Sequence, residues 1–382
     1  MTRKAIIVGA GIGGLSAAAT LRRVGLDVEI YERASDLRPS GSALSLMSNA
    51  VLALATLGIE PKFEKNAPVV TDLHFRTKSG RGIRTLRFKP LTDELGAPSF
   101  AIHRADLQRA LADEIGDSPI TFDAAATGFE PDGDGVRVSF EDGRTARGDL
   151  VIGADGFHSA IRRQIAGPER PRDGGYVCWL ATPRYSDPRV PPGFAAHYWG
   201  NGARFGITDI GAGRVYWWGT KNMAPEQARN WRGTHADVLR TYAGWAGEVT
   251  ALIEATPEED LLTVPAQDRP FLERWGQGPV TLLGDAAHPM LTSLAQGAAV
   301  TVEDAVVLAR HLADASDVSA ALRAYEDERR ARTKWMVELS WSMSRMEQSE
   351  GPFRVALRNN YFRFVPRSVL DRNNRTLLDF PA

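Results

Sequence analysis

Four glycines near the N-terminus constrain the fold of this chain more than any other feature. Gly9, Gly11, Gly13 and Gly14 follow the β-branched segment Lys4–Val8. In a G-x-G-x-x-G pattern the first glycine permits a tight turn and the second lets a pyrophosphate approach the backbone. The third lets helix and sheet pack closely, and the helix N-terminus attracts anions. The pattern therefore predicts a Rossmann-like unit that binds a nucleotide.

The residues after the glycines complete a βαβ unit. Leu15–Val24 has the pattern of a helix, Gly25 ends it, and Asp27–Tyr31 has the pattern of a second strand. Glu32 then follows that strand where an acidic residue is expected to bind ribose hydroxyls. An acidic residue favours an unphosphorylated ribose, so NAD and FAD both remain open and NADP is disfavoured at this site.

Two further segments place a carboxylate directly after an apolar strand. Asp155 follows the strand Leu150–Ile152, and Asp285 follows Val280–Leu283. Open α/β sheets bind ligands at the carboxyl ends of their strands. Both aspartates are therefore candidate ligands of the same nucleotide.

The middle of the chain changes character and becomes rich in strands and tryptophan. A hairpin is predicted around Gly211–Gly213, and helical patterns return at Gln296–Leu312 and Val318–Met346. We expect an α/β (α+β) protein with a Rossmann-like domain, an inserted mixed β-sheet domain that binds substrate, and C-terminal helices. The expected bounds are 1–70, 100–172 and 268–346 for the first domain, 71–99 and 173–267 for the second, and 347–382 for the tail.

Composition excludes several classes of protein. The 46 Lys and Arg residues balance 47 Asp and Glu residues, so a nucleic-acid partner is disfavoured. The lone Cys178 excludes an internal disulfide and a cysteine-based metal site, so no metal is expected and a cytoplasmic location is predicted. The uncharged stretch Ala5–Leu21 is broken by glycines, and no membrane span is expected.

The ordered set of three motifs resembles the single-component FAD monooxygenases of the para-hydroxybenzoate hydroxylase type. The resemblance runs from Lys4 to about Thr333. It implies that Asp285 binds the ribityl chain of FAD, that Asp155 lies near the pyrophosphate, and that Arg104 contacts FAD. The helix after Gln296 would direct its N-terminal amides at the flavin, where they stabilise negative charge. The candidate cofactor residues are Gly9, Gly11, Gly13, Gly14, Glu32, Arg33, Arg104, Asp155, Asp285, Gln296, Gly297 and Ala298.

The same resemblance implies the chemistry. NAD(P)H reduces the bound FAD, O2 adds to it, and a flavin C4a-hydroperoxide hydroxylates or epoxidises a small aromatic or polycyclic substrate. No fixed acid or base is expected. The choice of NADH or NADPH, the substrate and the oligomeric state stay open. Because only seven of the basic residues are lysines, a GC-rich bacterial source and secondary metabolism are suggested.

Candidate substrate contacts come from the strand-rich middle and from the last FAD motif. Arg204, Tyr216 and Thr292 are the main candidates. Arg204 stands out because a cation within an apolar strand needs a partner. The wider set adds aromatic residues and one histidine: Trp179, His197, Trp199, Phe205 and Trp218.

This chain departs from its apparent relatives at two loops. Thr292 and Ser48 stand where relatives commonly have proline, so both loops are expected to be less constrained. Two alternatives to a monooxygenase stay open, a flavin oxidoreductase that inserts no oxygen and an FAD-binding protein without turnover. A halogenase is disfavoured because the WxWxIP segment is absent from the sequence.

Overall fold

A computed structural model describes residues 2–37, 42–62 and 67–380. Its strands are β1 (Lys4–Val8), β2 (Asp27–Tyr31), β3 (Ala43–Leu46), β4 (Asp72–Thr77), β5 (Gly82–Arg87), β6 (Phe100–His103), β7 (Ile120–Thr121), β8 (Ala126–Asp132), β9 (Gly135–Phe140), β10 (Thr145–Gly148), β11 (Leu150–Gly153), β12 (Arg172–Ala181), β13 (Ala195–Trp199), β14 (Ala203–Asp209), β15 (Val215–Asn222), β16 (Leu262–Asp268) and β17 (Val280–Leu282). Its α-helices are α1 (Ile12–Arg23), α2 (Ser48–Ala55), α3 (Lys89–Leu95), α4 (Arg104–Glu114), α5 (Ala160–Ala166), α6 (Pro225–Arg229), α7 (His235–Thr241), α8 (Gly247–Glu254), α9 (Gly297–Leu312), α10 (Val318–Glu347), α11 (Pro352–Phe364) and α12 (Arg367–Leu378).

A five-stranded parallel sheet carries the three motifs. Its order is β17-β11-β1-β2-β7, with β1 between β11 and β2. Residues Ala5–Val8 are buried because helices cover both faces of such a sheet, which explains the uninterrupted apolar run. The Rossmann-like fold class predicted from the sequence is confirmed.

The second large sheet of the protein is mixed and has seven strands. Its order is β16-β12-β15-β14-β13-β4-β5, and the pair β13–β4 is parallel while its other pairs are antiparallel. Most of its strands come from the tryptophan-rich middle of the chain, and β4 and β5 join from an earlier segment. Two small antiparallel sheets, β10-β9-β8 and β3-β6, complete the architecture.

The 30-residue helix α10 links the two large sheets. Near its start the Tyr325 hydroxyl donates to the Leu282 carbonyl of the parallel sheet at 3.2 Å. Near its end the Ser344 hydroxyl donates to the Tyr176 hydroxyl of the mixed sheet at 2.9 Å. One rigid helix therefore sets the position of one sheet relative to the other.

The predicted tail is helical, and its aromatic residues divide between two environments. Phe362 of α11 packs against Phe75 and Trp199 of the mixed sheet, with ring centroids 4.6 and 4.9 Å away. Phe353 and Phe364 are 78% and 73% exposed. Residues 381 and 382 of the predicted tail lie outside the described residues. In the part of the chain that is described, none of the helices combines the length and apolarity needed to cross a bilayer.

Candidate active site

The three motifs meet at one edge of the parallel sheet because each follows the carboxyl end of a neighbouring strand. A Cβ placed on Gly9, whose φ is +105°, would lie 2.5 Å from the Ala154 carbonyl oxygen. A Cβ on Gly13 would lie 2.9 Å from the Thr301 methyl carbon, and one on Gly284 would lie 2.7 Å from the same carbon. The glycines therefore allow the motifs to approach closely, which only residues without a Cβ permit.

Two helix N-termini remain open at this edge. A Cβ on Gly11, the residue before α1, or on Gly297, the first residue of α9, would meet no described atom within 4 Å. Helix N-termini stabilise negative charge and donate free amides to anions. The observed space and the glycine backbone at both termini fit the anionic groups of FAD.

Glu32 stabilises the glycine turn through hydrogen bonds to backbone amides. Its Oε2 accepts a hydrogen bond from the Ala10 amide at 2.7 Å, and its Oε1 accepts one from the Ala34 amide at 2.8 Å. The neighbouring Arg33 is exposed. Burial lowers the pKa of His158, and the nearby charge of Arg33 lowers it further. The structure thus brings Arg33 beside the second motif.

The two motif aspartates have different surroundings. Asp155 Oδ2 accepts the Ala160 amide at 2.7 Å and caps α5, whereas its buried Oδ1 has no partner among the described residues. The Asp285 side chain is accessible at the sheet edge but is surrounded by protein on its other sides. Burial within the surrounding protein raises the pKa of both aspartates, and His288 and Arg104 oppose the shift at Asp285. Each aspartate therefore retains an acceptor for a ligand.

Gln296 has a packing role that the sequence did not indicate. Its side chain is buried, its Oε1 accepts from Asn49 Nδ2 at 3.0 Å, and its Nε2 donates to the Leu377 carbonyl at 3.2 Å. Gly297 and Ala298 are half-buried and begin α9. The backbone of this terminus, rather than the Gln296 side chain, faces the open space.

Ser48, the first residue of α2, forms a pair of hydrogen bonds with Ser99. Its amide donates to Ser99 Oγ at 3.0 Å, and the two hydroxyls lie 2.9 Å apart. Proline has no amide hydrogen and cannot form the first of these bonds. These bonds hold the start of α2 to Ser99, and the expectation of a less constrained segment at Ser48 stays a prediction.

One face of the mixed sheet presents polar and aromatic side chains together. Strand alternation and register place Tyr216, Trp218, Arg204 and His197 on this face. The Trp218 ring stacks on Tyr216 with centroids 5.3 Å apart and meets the His197 ring at 4.9 Å. It lies directly over Gly206, where a Cβ would be 2.0 Å from the indole. Gly206 therefore sets the position of Trp218. We call this surface the aromatic face.

Two of the wider candidates lie on the opposite face. Trp179 and Phe205 belong to a buried cluster with Trp217 and Tyr242, beneath the helices that cover the mixed sheet. The expectation that Trp179 and Phe205 line the substrate site is wrong. Sequence alone showed the alternation but not which face was core.

The aromatic face is directed towards the FAD motifs. Tyr216 packs against the core that contains the parallel sheet. Leu291, which follows the Asp285 motif, packs with Tyr176 and Cys178. A substrate on this face would therefore lie beside the predicted flavin site.

Three titratable side chains of this face are held neutral by burial. Burial and nearby Arg204 lower the pKa of His197 to about 3. Burial raises the pKa of Cys178 to about 12 and raises that of Tyr216 well above its usual value. At physiological pH these three side chains are uncharged.

Arg204 forms a buried ion pair with Glu347, the last residue of α10. Arg204 Nη1 contacts Glu347 Oε2, and both side chains are 2% exposed. The sequence indicated that Arg204 needed a partner, but Glu347 is 143 residues away along the chain and was not identified.

Thr292 begins a short 3₁₀ turn beside the Asp285 motif. Its side chain is exposed, and its carbonyl accepts a hydrogen bond from the Ala295 amide at 3.1 Å. Ala295 closes the turn with a φ of +53°. The Thr292 carbonyl oxygen therefore already accepts one hydrogen bond.

Replacement of Thr292 by proline should tighten the coupling of NAD(P)H oxidation to product formation. Leu291 has φ −65° and ψ 155°, an extended conformation compatible with a following proline. A fixed φ should also stabilise the fold by about 0.4–1 kcal/mol. Hydrogen peroxide release and thermal unfolding would be compared with Thr292→Ala, which removes the side chain without fixing φ. Unchanged or greater peroxide release in Thr292→Pro would contradict the expectation.

The chain is similar to known proteins along almost its whole length. A family model described as an FAD binding domain matches residues 2–340. The aurachin C monooxygenase/isomerase of Stigmatella aurantiaca is 36% identical over 375 residues, which are 98% of this chain and 97% of that protein. An FAD-dependent urate hydroxylase of Klebsiella pneumoniae is 36% identical over 337 residues, 87% of this chain and 88% of that protein.

A solved structure agrees with the fold. Klebsiella pneumoniae HpxO complexed with FAD and uric acid has a TM-score of 0.92 at 31% identity, covering 99% of this chain and 97% of that chain. Together with the converging motifs, these matches show that the chain belongs to the single-component FAD-dependent aromatic hydroxylase family and is an FAD-dependent monooxygenase.

Proposed function

We propose that this enzyme oxygenates a small planar aromatic or polycyclic compound that binds on the aromatic face. The observation that carries the proposal is the placement of Arg204, Tyr216 and Trp218 on one face of the mixed sheet, directed towards the FAD motifs. The relatives named above act on urate and aurachin C, which are ring systems of this kind. NAD(P)H and O2 are the proposed co-substrates. A cytoplasmic location is also proposed, on the cysteine content alone.

FAD would be held by the residues at the edge of the parallel sheet. We assign backbone contacts to the glycine turn and to the start of α9, and side-chain contacts to Glu32, Arg33, Arg104, Asp155 and Asp285. Bound FAD supplies the redox chemistry that activates oxygen. For the domains, we propose the bounds predicted from the sequence. These are 1–70, 100–172 and 268–346 for the FAD-binding domain, 71–99 and 173–267 for the substrate-binding domain, and 347–382 for the tail.

The chain's own residues position the substrate and keep water away. Trp218 and Tyr216 offer a flat apolar surface on which a planar ring can stack. Arg204 Nε and Nη2 are buried and have no partner among the described residues, so they can donate to an oxygen on the ring. The apolar rings on this face would keep water from the reacting atoms of a bound substrate.

Anaerobic flavin reduction tests the proposal directly. NADPH and NADH would each be mixed with the enzyme alone and with phenols, quinolones, purines and polyketides. We expect one ring class to accelerate reduction and to yield a product that carries labelled oxygen from O2. Arg204→Gln should weaken the response, whereas Arg189→Gln, at a surface ion pair with Asp187, should not change it.

Other outcomes would identify the alternatives. Rapid reduction without any ligand, and a product without labelled oxygen, would establish an oxidoreductase that inserts no oxygen. Absence of reduction with every ligand and both nucleotides would favour an FAD-binding protein without turnover.

A further inference from the structure

The buried pair of Arg204 and Glu347 determines the charge that a substrate meets on the aromatic face. Arg204 rises from β14 in the centre of the mixed sheet, and Glu347 reaches it from the end of α10. A buried cation without a counter-charge would attract an anionic ligand strongly, because charge interactions are strong where water is excluded. Here the chain itself provides the counter-charge.

The titratable groups of the mixed sheet near this pair add no positive charge to it. His197 Nδ1 lies 4.0 Å from Glu347 Oε1, and its ring is neutral for the reasons given above. Tyr176 and Cys178 lie on β12, separated from Arg204 by β15. Both are protonated because burial raises their pKa values.

Arg358 is a second buried cation near Glu347, but its donors are occupied. Its Nη1 donates to the Glu347 carbonyl at 2.7 Å, its Nη2 to the Gly200 carbonyl at 3.0 Å, and its Nε to Asn359 Oδ1 at 3.0 Å. Its guanidinium also lies over the Trp199 ring, 5.0 Å from the centroid. All three acceptors are neutral, so Arg358 keeps its charge, but none of its three nitrogens is free to bind a ligand.

Arg204 differs because two of its nitrogens are free. Nε and Nη2 are buried and find no acceptor among the described residues. Unsatisfied buried donors are costly, so a ligand oxygen at this point would be stabilised. That oxygen would share the guanidinium with the Glu347 carboxylate, and a negative charge on the ligand would be repelled by it.

We propose that Glu347 selects uncharged substrates: the ligand is a neutral aromatic ring whose carbonyl or hydroxyl oxygen accepts from Arg204, and carboxylates and other anions are excluded. The inference rests on the proposed function and names the substrate class of the same site. A quinolone or pyridone carbonyl has this chemistry. Glu347 acts through Arg204 and is a positioning residue.

A matched pair of ligands tests the inference on the FAD-loaded enzyme. The probes are a quinolone carboxamide and the corresponding quinolone carboxylate, which have the same shape and differ in charge. Dissociation constants would be measured from the change in flavin absorbance. We expect the carboxamide to bind at least about tenfold more tightly, given the size of a charge repulsion in a partly dry site.

Variants then assign the preference to Glu347. Glu347→Gln should remove or invert the tenfold preference, while Glu347→Asp, which keeps the charge, should retain it. Glu350→Gln removes an exposed carboxylate from the same segment and should leave both constants unchanged. Flavin content and the unfolding temperature would confirm that each variant is folded.

The results separate the two proposals. Equal or tighter binding of the carboxylate by the wild type, failure of the carboxamide to bind, or an unchanged preference in folded Glu347→Gln would overturn the role of Glu347. Any of these can occur in an enzyme that still oxygenates an aromatic ring. Conversely, a preference for the carboxamide in an enzyme that gives no labelled product from any ring class would overturn the proposed oxygenation and leave the charge selection intact.

Discussion

Gly14→Ala should prevent the accumulation of folded enzyme, whereas Gly11→Ala should leave the fold intact and weaken FAD binding. A Cβ on Gly14 would lie 1.8 Å from the Gly9 carbonyl oxygen, so α1 would have to move off the sheet. The expected loss is about 3 kcal/mol of unfolding free energy or more. Soluble yield and urea unfolding of the apoprotein would measure it.

Gly11→Ala is the matched control for this clash. Gly11 has φ −72° and ψ −176°, which alanine adopts freely, and its Cβ would meet no described atom. Apoprotein stability should therefore stay the same or rise slightly. The methyl group would occupy the space where a pyrophosphate approaches, so FAD affinity should fall about tenfold or more. Wild-type affinity for FAD in this variant would show that the pyrophosphate does not lie against Gly11.

Arg329→Met should cost about 3–5 kcal/mol of unfolding free energy, because it removes the buried cation that bridges two buried carboxylates. Arg332 would remain beside Glu303, and His288 beside Asp304. Arg329 contacts Asp304 Oδ1 at 2.7 Å and Glu303 Oε2 at 2.6 Å, and all three side chains are buried. Urea unfolding of the FAD-loaded enzyme measures the loss. Arg330→Met breaks a partly exposed pair with Asp327 and should cost less than about 1 kcal/mol. A similar cost for both variants would contradict the assignment.

The same cluster predicts a pH dependence. Burial alone would raise the pKa of Asp304 and Glu303, but contacts with His288, Arg329 and Arg332 outweigh it and hold both pKa values below their usual range. A carboxyl with a lowered native pKa stabilises the fold above its unfolded pKa and loses that contribution as the pH falls through the native value. Wild-type stability should therefore fall on acidification below about pH 4, and the fall should be shallower in Arg329→Met.

Local patterns were sufficient to predict the parallel sheet. Lys4–Val8 and Asp27–Tyr31 were predicted with the bounds that the structure shows, because apolar β-branched runs bounded by glycines leave few alternatives. The helix predicted from Leu15 begins earlier, at Ile12, since its first turn contains glycines that the pattern attributed to the loop. The antiparallel sheet of β8, β9 and β10 was not predicted, since its alternation is partly polar and its strands are short.

The site was predicted as far as single segments can show it. Alternation correctly grouped Tyr216 with Trp218, and the three motifs indicated where FAD would bind. The partner of Arg204 could not be predicted from the sequence. A glutamate at the end of a charged helix resembles a solvent-exposed residue, and only the tertiary structure shows that it is buried. Long-range pairings of this kind leave no signal in either segment alone.

The order of strands in the parallel sheet has a consequence for synthesis of the chain. β1 is made first, yet its neighbour β11 begins at Leu150, and the edge strand β17 begins at Val280. At about 5–20 residues per second, the ribosome needs roughly 15–55 s to deliver β17 after β1. During that time an apolar strand and a glycine turn wait without their final neighbours, so molecular chaperones should associate with the nascent chain until its last third emerges.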